Sequence, residues 1–240
     1  MDIQHGIIDV HAHVIPGVDD GARVMRESVS LLKRAAEQGI VGVIATPHYS
    51  RRHVLTGLKE RAARVQEAIR ETYPDFFVYP GQETFYHNEL TDRLRSGEAC
   101  TMAGSRYVLV EFDPSVPYQE LFQGIRKLLG SGYRPILAHM ERYACLRNAG
   151  TGELLSCGCK LQMNYDSLQG SWLSRETRWC RKQVETGVIH LLGTDMHRMN
   201  YRPPQITESM KWLQSHVSPD YLDRLTRRNA LHIINQENIR

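Results

Sequence analysis

Apolar residues in this chain fall in short runs, some interrupted by a single polar residue. Ile7, Ile8 and Val10 form the first, and the others lie at 41–45, 76–79, 106–110, 135–138, 160–163 and 188–192. Near-continuous runs of this length, rich in Val, Ile and Leu, predict strands buried on both faces. Between them lie longer stretches with helical spacing. Residues 27–38 place Val29, Leu31, Leu32, Ala35 and Ala36 on one stripe, and Gly39 follows as a stop. Further helices are expected at 57–73, 118–129, 143–156 (interrupted near Gly150-Thr151-Gly152), 173–186, 205–216 and 219–235. Strands alternating with helices imply a parallel sheet with crossover helices. Seven strands with no topological break predict an α/β fold, closed or nearly closed into a barrel. Residues 1–240 are read as a single domain, without internal repeat, low-complexity segment or linker.

The ends of these runs carry the chemistry. His11 and His13 follow the first run, and Thr46-Pro47-His48 ends the second. Gly81-Gln82-Glu83 ends the third, Glu111 the fourth, His139 the fifth, and Asp195-Met196-His197 closes the seventh. Only the sixth run has no such residue. Side chains two apart on a strand share a face, so His11 and His13 can present two imidazoles to one ion. A single strand-end histidine more often caps a turn; the set is what points to metal. Active sites of α/β barrels lie at the C-terminal ends of the strands, where all these residues fall. With Asp20, the set holds four carboxylates among five imidazoles. Carboxylates this close would repel and take up protons unless cations lay between them. Mixed nitrogen and oxygen donors suit Mn, Fe or Zn better than Ca or Mg. Nine donors exceed what one ion requires, so two or three ions are expected.

Composition narrows the classes. The 30 basic and 27 acidic residues nearly balance, which gives no support to a nucleic-acid partner. Arg far outnumbers Lys, a bias that suits phosphate or carboxylate contacts. Met1 to His5 has neither the basic nor the apolar part of a signal peptide, and no stretch approaches the roughly 18 apolar residues of a membrane span. Five irregularly placed cysteines argue against a disulfide framework, so a reduced cytoplasmic chain is expected. Cys100 to Arg106 satisfies the Cys-x5-Arg spacing of thiolate phosphatases. That chemistry needs the Cys on a loop opening onto a helix N-terminus, and here the segment runs into a strand. Cys157-x-Cys159 has no second pair to complete a zinc site. His5, His53, His87, His190, His216 and His232 are read as ordinary.

Five stretches together resemble a known family. They are residues 9–21 (Asp-Val-His-Ala-His-Val-Ile-Pro-Gly-Val-Asp-Asp-Gly), 45–48 (Ala-Thr-Pro-His), 106–112 (Arg-Tyr-Val-Leu-Val-Glu-Phe), 138–143 (Ala-His-Met-Glu-Arg-Tyr) and 194–197 (Thr-Asp-Met-His) followed by Arg202-Pro203-Pro204. In this order they are similar to the polymerase-and-histidinol-phosphatase (PHP) family, and within it to the bacterial protein-tyrosine phosphatases of capsule and exopolysaccharide clusters. The resemblance spans nearly the whole chain and implies a distorted seven-stranded (β/α)7 TIM-like barrel with three metals, usually Mn. By position it implies that His11, His13, Glu83 and Asp195 hold one ion. A bridging Glu83, with Glu111 and His139, holds a second, and Asp20, His48 and His197 hold the third. Arg142 and Arg202 are implied to grip the substrate phosphate. Asp9 and Asp19 are kept as supporting or structural. Met140 departs from the Pro or Ile of many relatives, beside a ligand.

The implied chemistry is phosphotyrosine hydrolysis by metal-bound hydroxide, with the third ion and the two arginines on the phosphoryl oxygens. The implied partner is the Tyr-rich tail of an autophosphorylating bacterial kinase. Relatives assemble into rings, for which the helix at 27–38 is a candidate contact. The competing readings are a histidinol-phosphate phosphatase or other small phosphoester hydrolase, a non-catalytic regulator docking on a tyrosine kinase, and a proofreading nuclease.

Overall fold

The computed structural model of the chain describes residues 6–49, 54–171 and 173–239. Among these, eight strands form: β1 (Ile7–Ala12), β2 (Ile40–Ala45), β3 (Phe77–Pro80), β4 (Glu83–Phe85), β5 (Tyr107–Glu111), β6 (Arg134–Leu137), β7 (Lys160–Asn164) and β8 (Leu191–Gly193). The helices are α1 (Met25–Ala36), α2 (Leu58–Arg70), α3 (Leu90–Ser96), α4 (Tyr118–Gly130), α5 (Ala144–Ala149), α6 (Gly152–Ser156), α7 (Arg175–Glu185), α8 (Thr207–His216), α9 (Pro219–Asp223) and α10 (Asn229–Ile234). Every named strand pair is parallel, as alternating strands and helices require.

The expected seven strands are corrected to eight segments in two sheets, β1-β2-β3 and β4-β5-β6-β7-β8. The third apolar run is the reason. It stops at Pro80, which has no N–H for a ladder, and pairing resumes at Glu83 against β5 instead of β2. The two sheets meet at isolated bridges between Ala12 and Met196 and between His48 and Glu83. Main-chain hydrogen bonds from Asp195 to His11 (2.8 Å) and from Glu83 to Pro47 (3.2 Å) reinforce these seams. Both junctions therefore run through residues singled out for their chemistry.

Two apolar layers support the strands. One joins the helices to strand residues such as Val43, Val108, Val110 and Leu161. The other packs Ile8, Val10, Ile44, Leu109, Ile136 and Leu191 against Ala230 and Ile233 of α10. Gly42 of β2 is needed for close approach, since a Cβ there would lie 2.2 Å from the Phe77 ring. The β1–β2 register shifts between Asp9 and Ala12, a bulge placed where β1 passes from core to strand end.

The helices largely follow the expected stripes, with ends moved by a few residues. The interrupted helix at 143–156 is two short ones, α5 and α6, parted at Gly150 and Thr151. The tail at 219–235 is α9 and α10 with a π-helical turn, Arg224–Arg228, between them. The short α3 was not expected. No helix among the described residues is long and apolar enough to cross a membrane.

A candidate metal centre at the strand ends

The end of β1, the first residue of β4 and the turn after β8 bring four side chains together. His11, His13, Glu83 and Asp195 each offer a donor atom within 4.8 Å of the others. All four are buried. The His11 and His13 Nε2 atoms face each other at 3.2 Å. Each also approaches Glu83 Oε2 (3.1 and 3.2 Å) and Asp195 Oδ1 (3.5 and 3.4 Å). Two further groups share members with this one: His13, Asp20, His48 and His197, and His48, Glu83 and Glu111. His48 links them. Its Nδ1 lies 3.2 Å from both Glu83 Oε2 and Glu111 Oε1, and its Nε2 lies 3.6 Å from Asp20 Oδ1. His197 Nε2 is 3.5 Å from the same Asp20 oxygen. His139 belongs to none of the three groups. Its Nε2 nevertheless reaches Glu83 Oε1 at 2.7 Å and Glu111 Oε2 at 3.6 Å. All nine expected donors thus meet at one end of the strands.

These residues fit a divalent cation. Glu83 Oε2 is buried and makes no hydrogen bond, although three imidazole nitrogens stand 3.1–3.2 Å from it. Three nitrogens gathered about one buried oxygen that makes no hydrogen bond are an arrangement that a coordinated ion would satisfy. Without ions the cluster can satisfy itself only with protons. Burial alone would raise the Glu83 carboxyl, but the facing His11, His13 and His139 hold it well below its usual range. Asp195 is likewise held low, against burial, by His11 and His13. Burial disfavours charge on His139, yet Glu111 and Glu83 push its pKa up to about 9. His197 is lowered to about 4 by burial and by the adjacent His13.

Several imidazoles are oriented from behind. Asp19 Oδ2 accepts from His13 Nδ1 at 2.8 Å and from the His48 N–H at 3.0 Å, so Asp19 supports the site while Asp20 faces it. His197 Nδ1 lies 2.8 Å from the Asp195 carbonyl. Asp9 is buried and accepts from Thr194 through both its N–H (2.9 Å) and its hydroxyl (2.5 Å), pinning the end of β8 to β1. Arg142 and Arg202 both donate to Asp195 Oδ2, at 2.5 and 2.8 Å, and both remain partly exposed. His139, Asp195 and Arg202 adopt positive φ (32°, 52° and 55°), a conformation side chains rarely take and one that concentrates at working sites.

Sequence reasoning passed over three buried residues. Gln162 and Asn164 of β7 hydrogen-bond into the cluster, and Glu141 accepts from the Asn164 N–H at 3.1 Å. Amides are not metal-ligand types, so the sixth run looked empty. The signal available was the Gln-x-Asn alternation, which puts two polar side chains on one face of an otherwise buried strand. The described residues read as ordinary lie away from the cluster or pair elsewhere. Cys100 follows Gly97 in a segment leading to a short 3-10 turn and β5, and burial pushes its thiol up, the reverse of an activated thiolate. All five cysteines are free. His87 stacks on Tyr49, His216 stacks on Trp212, and His232 pairs with Glu237 at 2.6 Å. His190 lies at the opposite end of β8 from Asp195. His5 and His53 lie outside the described residues.

Known proteins are similar to this chain in sequence and in fold. A tyrosine-protein phosphatase from Streptococcus pneumoniae, CpsB, is 29% identical over 214 residues, covering 85% of this chain and 88% of its own. The tyrosine-protein phosphatase YwqE of Bacillus subtilis is 28% identical over 239 residues, covering 96% and 92%. Among solved structures, one described as YwqE from Bacillus subtilis and CpsB from Streptococcus pneumoniae, unique metal-dependent tyrosine phosphatases, matches with a TM-score of 0.87 at 25% identity, covering 98% of this chain and 96% of that one. A phosphotriesterase homology protein from Escherichia coli shares the fold alone, with a TM-score of 0.61 at 14% identity, covering 98% and 100%. The family model for capsular polysaccharide synthesis, CpsB/CapC, matches residues 7–235, and the chain belongs to that family.

Proposed function

We propose that this protein is a metal-dependent protein-tyrosine phosphatase. The observation that carries the reading is Glu83 Oε2, buried without a hydrogen bond and facing three imidazoles, beside two arginines converging on Asp195. The names and metal dependence of the relatives agree with it. We assign His11, His13, Glu83 and Asp195 to one ion, and Glu83, Glu111 and His139 to a second. Asp20, His48 and His197 are assigned to a third. Mn2+ suits the imidazole-rich set, with Fe or Zn as alternatives. Bound ions would supply Lewis acidity and a water of lowered pKa at neutral pH.

The chain's own residues do the rest. Each guanidinium carries five N–H donors, so Arg142 and Arg202 keep donors for phosphoryl oxygens while resting on Asp195. Their charge stabilises the equatorial oxygens, where negative charge is spread during transfer. A phenolate leaves readily, so the site is asked for charge stabilisation more than for a strong acid. Asp19 and Asp9 hold their partners in place from behind.

We further read β3 and β4 as one interrupted strand, making a distorted seven-stranded TIM-like barrel of a single domain. The physiological substrate we infer is the phosphorylated, Tyr-rich tail of a bacterial tyrosine kinase controlling capsule or exopolysaccharide synthesis. Five free cysteines accord with the cytoplasm, where such a tail would lie. Histidinol phosphate is the competing substrate for this type of site. With Mn2+ present, a phosphotyrosine peptide should turn over at least about tenfold more efficiently than histidinol phosphate, a difference of about 1.4 kcal/mol in the transition state. The opposite preference would overturn the substrate assignment.

A further inference from the structure

We propose that Gln162 is a positioning residue of the metal centre, holding His11 as the Nδ1–H tautomer so that its Nε2 lone pair faces the cluster. The inference rests on the metal-dependent reading above. Neither β7 nor the turn that follows it supplies a candidate ligand, yet Gln162 and Asn164 of β7 are both fully buried beside the cluster. The orientation of the Gln162 amide is fixed by chemistry. The His139 main-chain N–H, which can only donate, lies 2.8 Å from Gln162 Oε1, so that atom is the carbonyl oxygen. The same oxygen lies 3.1 Å from His11 Nδ1. Since the oxygen only accepts, Nδ1 must carry the proton. In the neutral ring this leaves Nε2 without one.

The relay continues from the other end of the amide. Gln162 Nε2 donates to Asn164 Oδ1 at 2.8 Å, which turns Asn164 Nδ2 towards Asp195 Oδ2 at 3.1 Å. One backbone N–H thus dictates, through two amides, the tautomer of His11 and one partner of Asp195. Space is reserved for the layer: a Cβ on Gly193 would lie 2.7 Å from His11 Cβ and 3.0 Å from Gln162 Nε2. Asp19 and the Asp195 carbonyl face Nδ1 of His13 and His197 in the same way. Partners of this kind raise ligand basicity and fix ring orientation, and their loss commonly costs 10- to 100-fold in metal affinity.

The test uses Mn2+ titrated calorimetrically into metal-stripped full-length protein, together with nitrogen-15 shifts of the histidine rings. Gln162→Glu keeps the acceptor oxygen; Gln162→Met keeps the length and removes it. The stripped wild type should show His11 protonated on Nδ1. Gln162→Met should weaken Mn2+ binding about 10- to 100-fold, and Gln162→Glu should stay within a few-fold of wild type. Equal affinity in wild type and Gln162→Met overturns the proposal, as does equal loss in the two variants. If Gln162→Met does not fold, the wild-type spectrum decides: a His11 ring protonated on Nε2 and not on Nδ1 is incompatible with the assignment. A wild type that takes up no metal at all defeats the metal-dependent reading itself, a result distinct from a Gln162 that proves irrelevant to binding.

Discussion

Asp195 divides its two oxygens between different tasks. Oδ1 faces His11 and His13, while Oδ2 receives Arg142, Arg202 and Asn164. Truncating either arginine leaves Oδ1 and the imidazoles where they are. Arg142→Ala and Arg202→Ala should therefore each retain wild-type metal content while lowering phosphotyrosine turnover on the order of 10²-fold, the usual loss when one charge-stabilising donor is removed. Metal analysis beside steady-state kinetics checks this, and wild-type kinetics in either variant would make that Arg a surface residue. At this scale the sequence was informative because His, Asp and Glu announce themselves at strand ends. Residue types and spacing alone did not say which His meets which carboxylate; only the family resemblance paired them, and it placed His48 in one group where the structure places it in two. Nothing in the spacing says that His48 bridges two groups while His139 sits directly on Glu83.

The strands act as rulers whose far ends are set by different forces. At the start of β8, His190 Nδ1 accepts from the Leu161 N–H at 3.3 Å, away from the candidate ligands. Burial, then the charges of Lys160 and Arg224, lower its pKa from 6.5 to about 4. The unfolded chain therefore takes up this proton first. The stabilisation is complete above 6.5 and is lost progressively as pH falls towards 4. At pH 5 the loss is at most about 2 kcal/mol. Denaturant titrations of stripped protein at pH 7 and pH 5 should show a smaller drop for His190→Gln than for wild type; equal drops would remove His190 from the account. The apolar runs made the strands legible, since buried parallel strands leave their mark as runs dominated by Val, Ile and Leu. The break between β3 and β4 was not legible. It depends on which neighbour Glu83 pairs with, a long-range choice that Pro80 and Gly81 permit but do not dictate. The short α3 escaped because seven residues carry too little periodicity to be read.

Taken whole, the molecule is two parallel sheets whose seams, Ala12 against Met196 and His48 against Glu83, pass through the candidate centre. Candidate ligands from β1, β4 and β5 and from the segments after β1, β2, β6 and β8 converge there, so ions would tie the sheets together as well as serve the reaction. The order of elements was readable from the alternation of runs and stripes. The seams were not, because they form between segments far apart in the chain. Phosphotyrosine hydrolysis by this protein should depend on metal held by this cluster. The most direct measurement is hydrolysis of a phosphotyrosine peptide by protein stripped with chelator and dialysed, with and without added Mn2+ or Mg2+. Activity should vanish on stripping and return with Mn2+ more fully than with Mg2+, which binds imidazole-rich sites poorly. Full activity in excess chelator, from protein shown by elemental analysis to be metal-free, would rule out a metal-dependent reaction.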